Sequence, residues 1–355
     1  LDALRGFTIA LMIVVNYPGS EESVFFTLRH TVWNGLSTTD EVAPFFLFIV
    51  GVSIVYAFSK RLNDGTQKST LYRKIIIRSL KIFSVGMFLN LLPQFDLHNI
   101  RWTGTLHRIA IVYLICGLIY LNTGWKQQAW IAAFLLIAYW LALNCIPMPG
   151  AGKVMLEPGI NIVAWVDSKW LPGHMWRGTW DPESILTTVT SVVSGLTGML
   201  AGRLMLSNYT ANEKVNILMT AGVFSAMAGF YWGIAFPVNE NLWTSSFVLV
   251  TSGFAALMFG AIYYLVDIKG RKRGTLPFIM FGSNAITIYF MADVWALIFY
   301  EWKINGTTLN EYTVQSMSHA GIDLRLASLI YALLFVCINF IPAYILYKKK
   351  IFIKL

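Results

Sequence analysis

The sequence predicts an all-α integral membrane protein, a single bundle of about ten transmembrane helices with both termini cytoplasmic. Three observations carry this reading. Of the 355 residues, 56% are hydrophobic and 13% are charged, whereas a soluble domain carries about 25% charged residues. Apolar runs of about 20 residues, long enough to cross a bilayer, recur along almost the whole chain, and the mean hydropathy is +0.60. Lysine and arginine gather in alternate connections, as the positive-inside rule requires.

The runs justify the helices in order. The first, 3–18, begins beside Asp2 and Arg5, three residues apart and so on one helical face where they can pair. It ends in Val14-Val-Asn-Tyr-Pro18, which puts Asn16 at its outer end. The second, 41–59, follows Asp40, a residue type that caps helix N-termini and whose charge suits the helix dipole. Runs 74–92, 106–122 and 127–145 come next, then 185–205, 214–234 and 243–266. Gly195, Gly198 and Gly202, and Gly253 with Gly260, are spaced for close helix packing. The ninth run, 277–300, holds Asp293, with Ser283 and Asn284 deeper in it; an acid inside a membrane helix is expensive and so is a functional candidate. The tenth is 325–347.

The net charge of +9 would suit a nucleic-acid partner, but its placement argues against one. With the N-terminus inside, 19 of the 27 basic residues and 4 of the 18 acids fall on the inner side, leaving it at +15 and the outer side at −6. Arg5, Lys60, Arg61, Lys68, Arg73, Lys74, Arg78, Lys81, Lys272 and Lys348 to Lys350 belong to the inner set, as does Lys354. Lys74 and Arg78 are candidates to hold a phosphate-bearing donor, although topology alone accounts for basic residues there. No linker interrupts the runs, so residues 1–355 read as one domain. Its middle outer loop, about 146–184, carries five prolines and four tryptophans, a composition that suits an ordered cover as well as an interfacial belt. The chain shows no cleavable signal peptide, and its lack of an initiator Met implies a missing N-terminal piece.

Cys116, Cys145 and Cys337 show no paired spacing and read as packing residues. His98, His107, His174 and His319 have no His-x-His or His-Glu-x-x-His spacing, so no metal is expected. His30 stands apart. It lies in Leu28-Arg-His-Thr-Val-Trp-Asn-Gly-Leu-Ser-Thr-Thr-Asp40, a polar, aromatic-bearing stretch between two apolar runs, and imidazole exchanges a proton near neutral pH. The loop can fold His30 back beside Asn16, whose amide would orient the ring or donate to an oxyanion; alternatively Asn16 bonds free carbonyls at the helix end. Asp40 has a second reading as a carboxylate partner of His30.

Eight motifs occur in order: Leu1-Asp-Ala-Leu-Arg-Gly6, Val15-Asn-Tyr17, His30-Thr-Val-Trp-Asn-Gly-Leu36 with Asp40 and Pro44, Arg101-Trp-Thr-Gly-Thr-Leu-His-Arg-Ile109, Asp181-Pro-Glu-Ser-Ile-Leu186, Asn241-Leu-Trp-Thr-Ser-Ser-Phe247, Val266-Asp-Ile-Lys-Gly270 and Phe281-Gly-Ser-Asn-Ala285. In these the chain resembles the membrane acyltransferases typified by heparan-α-glucosaminide N-acetyltransferase and its bacterial homologues. It departs from them at His107, where relatives commonly have Gln, and at Glu41-Val-Ala-Pro44, usually more apolar.

The resemblance implies an acetyl-CoA-dependent N-acetyltransferase of the bacterial inner membrane. Acetyl would pass from cytosolic acetyl-CoA to the amino group of a glucosamine-type sugar outside, with His30 as base or acetyl carrier and Asn16 as its partner. Asn284 and Asp293 are the candidate lining of a channel for CoA, and Lys74 and Arg78 are further candidates to bind it. Trp33, Asn34, Asp40, Asp181 and Glu183 are the candidate acceptor-binding residues. Relatives imply a homodimer in the lipid bilayer and no nucleic-acid partner. A sugar or amino-sugar transporter is the rival reading, since the same polar residues would serve alternating access; the chain, however, shows no obvious inverted repeat.

Overall fold

Each of the ten apolar runs contains helix in the computed structural model, which describes residues 1–92, 95–304 and 306–353; Lys354 of the inner basic set lies outside them. The helices are α1 (Asp2–Asn16), α2 (Val42–Asn63), α3 (Lys68–Leu91), α4 (Thr105–Asn122), α5 (Trp125–Cys145), α6 (Ile162–Trp170), α7 (Ile185–Met205), α8 (Ala211–Trp232), α9 (Ser245–Tyr263), α10 (Leu276–Ser283), α11 (Ala285–Ala296), α12 (Leu309–His319) and α13 (Leu324–Lys348). A two-stranded hairpin, β1 (Lys303–Ile304) with β2 (Thr307–Thr308), precedes α12.

Among the described residues, seven helices are long and apolar enough to cross a membrane. They are α2, α4, α5, α7, α8, α9 and α13. The other three runs differ for identifiable reasons. At 15 residues, α1 is only about 22 Å long against a hydrocarbon core of about 30 Å. Lys68, Arg73, Lys74, Arg78 and Lys81 interrupt the apolar surface of α3. The ninth run is not one helix: α10 and α11 are bent by 84° at Asn284, whose backbone (φ −131, ψ 41) leaves the helical region.

The chain divides into two compact units, and no linker marks the division. The first comprises Leu1–Thr31, Ser37–Val42 and Leu265–Leu355. Here α1 packs on α10 and α13, and glycine permits the closest approach: a Cβ on Gly282 would lie 2.0 Å from the Asp2 carbonyl oxygen. Ile9, Ile13, Ile288 and Phe335 are wholly buried in this unit.

The second unit is Val32–Leu36 with Ala43–Tyr264. Here α7 packs against α4, α5 and α9, and α8 lies along α9. Phe48, Phe58, Trp243 and Phe247 are the large side chains of its interior. The predicted glycine stripe is used on α7, since a Cβ at Gly198 would sit 1.9 Å from the Phe48 carbonyl oxygen of α2. Gly198→Ala is therefore expected to force backbone apart and destabilise the protein by about 1–3 kcal/mol, read as a lowered Tm in detergent; an unchanged Tm would show that the two helices are not held this closely. Of the cysteines, Cys116 is buried as expected, while Cys145 and Cys337 are exposed.

Candidate active site

The sequence after α1 is too polar and too broken by turns to remain helical, and in the first unit it delivers His30 to Asp40. A 3₁₀ turn, Thr39–Glu41, leads directly into α2, so Asp40 stands within a helical turn instead of capping it. Its carboxylate bends back toward the preceding loop. The His30 Nδ1 lies 2.8 Å from Asp40 Oδ1, with the imidazole about half exposed and the carboxylate fully buried. Asp40 Oδ2 accepts from Thr31 Oγ1 at 3.0 Å and from the Ser37 backbone N–H at 2.8 Å. Together these contacts hold the carboxylate in one orientation. With Nδ1–H donating to Asp40, Nε2 carries the lone pair that can accept a proton.

Asn16 is the last residue of α1 and is exposed. Among the described residues no hydrogen bond joins its side chain to His30. Its neighbour Tyr17 donates its hydroxyl to Asp293 Oδ1, and Tyr300 Oη donates to the Pro18 carbonyl at 2.9 Å. The acid of α11 thus has a partner, and α11 with the turn after it holds the chain at the C-terminal end of α1. Asn284 is 2% exposed. Its amide bonds to backbone beyond α13, from Nδ2 to Ile351 O at 3.0 Å and from Ile353 N to Oδ1 at 2.8 Å.

In the second unit the remaining candidates fall into three groups. Trp33 Nε1 donates to Leu156 O at 3.0 Å and its ring meets Trp180 edge-on, while Asn34 Oδ1 accepts from Asn239 Nδ2 at 3.0 Å. These contacts tie the Val32–Leu36 strand of chain to the 146–184 loop and to the connection before α9. Lys74 is exposed and Arg78 half-buried, the latter with its guanidinium 4.9 Å from the Tyr113 ring centroid, a cation–π geometry.

Asp181 and Glu183 form the third group. Both are engaged by Arg101: Nε and Nη2 reach the two Asp181 oxygens at 2.8 and 2.7 Å, and Nη2 reaches Glu183 at 2.5 Å. The guanidinium also lies 5.0 Å from the centre of the Trp176 ring. Burial alone would raise the Asp181 carboxyl, but the bonds and charge of Arg101 outweigh it and hold the group well below the usual carboxylate range. In contrast, burial pushes Asp167, on α6, up to about 6 against the bonds it accepts from Ser184 Oγ and Ile185 N.

Arg101→Ala is expected to cost about 3–5 kcal/mol at pH 7, because it leaves a buried carboxylate unpaired. The depressed Asp181 value contributes stability above the unfolded pKa near 3.8 that is lost as the pH falls below it. The deficit should therefore shrink in acid; thermal melts of both proteins across pH check this, and a pH-independent difference would show that charge pairing is not its origin.

Several contributors are not apparent from sequence pattern. Thr31 and Ser37 lie inside the polar stretch of His30, but their role depends on how the loop folds. Arg101 opens the Arg101–Ile109 motif without announcing its acidic partners 80 and 82 residues away. Arg108 is buried 4.3 Å from the Trp243 ring centroid and donates to Pro182 O and Thr187 Oγ1 at 2.6 Å each, a role only the packed helices reveal.

The architecture and the pair define the class: an all-α protein of membrane-type helices carrying a carboxylate-held imidazole. Residues 1–166 match the family model described as Heparan-alpha-glucosaminide N-acetyltransferase, catalytic. Over its whole length the chain is 28% identical to the Heparan-alpha-glucosaminide N-acetyltransferase of Homo sapiens and covers 59% of that protein. It is 26% identical to the protein of the same name from Mus musculus and covers 60% of it. The chain is thus similar to this family's catalytic model over residues 1–166 and to the two relatives over its whole length. The matched stretch contains Asn16, His30, Trp33, Asn34, Asp40, Lys74 and Arg78, whereas Asp181, Glu183, Asn284 and Asp293 lie beyond it.

Proposed function

We propose that the protein is a transmembrane acetyltransferase that moves acetyl from cytosolic acetyl-CoA to the amino group of a glucosamine-type sugar on the other side of the membrane. The observation that carries this reading is the His30–Asp40 pair at 2.8 Å. An amine must lose a proton as it becomes an amide, and a half-exposed imidazole whose other nitrogen is held by a buried carboxylate is suited to take it.

In this reaction the neutral sugar nitrogen attacks the thioester carbonyl and a C–N bond forms. His30 Nε2 takes the amine proton. The tetrahedral oxyanion collapses, the C–S bond breaks, and CoA leaves as its thiolate, which recovers the proton. Asn16 is the donor to the oxyanion. A route through acetyl-His30 would use the same residue as nucleophile; a trapped acetyl-histidine would select it. Asn16→Ala is expected to lower kcat/KM by about 10²–10³-fold, and a near-normal rate would return Asn16 to a helix-end role.

All ten helical runs cross the membrane in this reading, both termini are cytoplasmic, and residues 1–355 act as one domain with the 146–184 loop outside. Asn284, Asp293, Lys74 and Arg78 serve the donor, Trp33, Asn34, Asp40, Asp181 and Glu183 the acceptor side, and two copies form a homodimer. The charge asymmetry supports the sidedness, since CoA phosphates would meet the basic face. In sealed, oriented vesicles acetyl-CoA should work only from the side bearing Lys60 and Lys272, with acetylated sugar appearing opposite. A requirement for donor and acceptor on the same side would overturn transmembrane transfer, and passage of unmodified sugar without acetyl-CoA would favour a transporter.

A further inference from the structure

We propose that Asn284 is a recognition point for a secondary amide of the acyl donor's arm, and that Ile351–Ile353 occupies it as an internal stand-in which the donor displaces. The proposal rests on the donor assignment above and concerns how that donor gains access. Asn284 sits at the 84° break between α10 and α11, the place where the first unit interrupts a helix that composition would have made continuous. Its side chain is almost wholly buried, so its carboxamide needs hydrogen-bond partners. Those partners are amides: Nδ2 donates to Ile351 O at 3.0 Å and Oδ1 accepts from Ile353 N at 2.8 Å. A planar carboxamide offering one acceptor and two donors reads an amide chain in this way, without regard to what the side chains are.

The side chains of the segment support exchange. Ile351 is 44% exposed, Phe352 49% and Ile353 45%, so the segment is held at Asn284 by backbone bonds more than by burial. The arm of CoA carries two secondary amides in the same C=O, N–H order, one methylene further apart than in a peptide, and so offers an acceptor and a donor for the two bonds. The surroundings also match the rest of the donor. Lys348, Lys349 and Lys350 immediately precede the segment, and Arg5, paired with Asp2 at 2.9 Å, also donates to Gly282 O at 3.2 Å beside the break. Cations for phosphates and a carboxamide for the arm therefore come together within one unit. The occupied site reduces the fraction of protein competent to bind, and apparent affinity falls by that fraction.

Hydrogen–deuterium exchange on the full chain in detergent, with acetyl-CoA, pantetheine or adenosine 3′,5′-bisphosphate as probe, tests the displacement. Acetyl-CoA and pantetheine should each raise exchange in the peptide containing Ile353, and the bisphosphate, which has no amide arm, should not. Ile353→Pro deletes the N–H that Asn284 accepts and should tighten acetyl-CoA binding by about 3- to 10-fold. Asn284→Ala should loosen the segment without ligand and weaken acetyl-CoA. Binding of acetyl-CoA with unchanged exchange at Ile353, or with unchanged affinity in Ile353→Pro, overturns the stand-in while leaving the acetyltransferase reading intact. Failure of acetyl-CoA to bind at all overturns both.

Discussion

His30→Ala is expected to reduce acetyl transfer from acetyl-CoA to glucosamine by about 10²–10⁴-fold, the range a positioned general base contributes, while folding and acetyl-CoA binding persist. The fold should tolerate the change because the imidazole is about half exposed and Asp40 keeps its bonds from Thr31 and Ser37. Steady-state rates beside a thermal melt and a CoA-binding isotherm check it. A kcat near that of the unaltered protein, with intact binding, would remove His30 from the mechanism. If His30 is an acetyl carrier, the same variant also abolishes the labelled protein formed on mixing with radiolabelled acetyl-CoA alone.

Asp40→Asn is the second large effect. As a carboxylate, Asp40 can only accept, which keeps the proton on His30 Nδ1 and the lone pair on Nε2. An asparagine amide can donate to Nδ1 instead and place the proton on Nε2, where it blocks base catalysis. The comparable change in serine-protease triads lowers kcat by about 10⁴-fold, and a loss of about 10³–10⁴-fold is expected here. The two substitutions should be far from additive, because both act through one nitrogen. Additive losses in the double variant would show that Asp40 does not act through His30. Since Asp40 is fully buried, stability must be followed in parallel, and a loss of activity accompanied by unfolding would assign it to the fold.

Much of the architecture is legible in sequence because lipid imposes a simple rule: backbone groups must be satisfied internally, so an apolar run of sufficient length is a helix. Seven of the ten runs form helices long and apolar enough to cross a membrane. The exceptions lie where local polar chemistry competes. Composition marks 277–300 as one span, but Asn284 finds backbone partners at Ile351 and Ile353 that hold it out of helical geometry. Asp40 has the residue type and position of an N-cap, but the 3₁₀ turn before α2 begins at Thr39 and leaves Asp40 two residues past the cap position, Thr38, and its carboxylate serves the loop behind it.

Of the candidate site, residue types were readable and partnerships were not. His30 stands out in sequence because a titratable ring in a polar island between apolar runs is rare, and the motifs add Asn16 and Asp40. Arg101 with Asp181, and Tyr17 with Asp293, are pairs separated by 80 and 276 residues, distances at which sequence pattern carries no spatial information. Periodicity, hydropathy and charge bias are local quantities, and they determine the helices and the sorting of charge into alternate connections. Which carboxylate meets which cation, where a helix breaks and which nitrogen of His30 is left to accept a proton depend on the packing of segments far apart in the chain, and only the tertiary structure decides them.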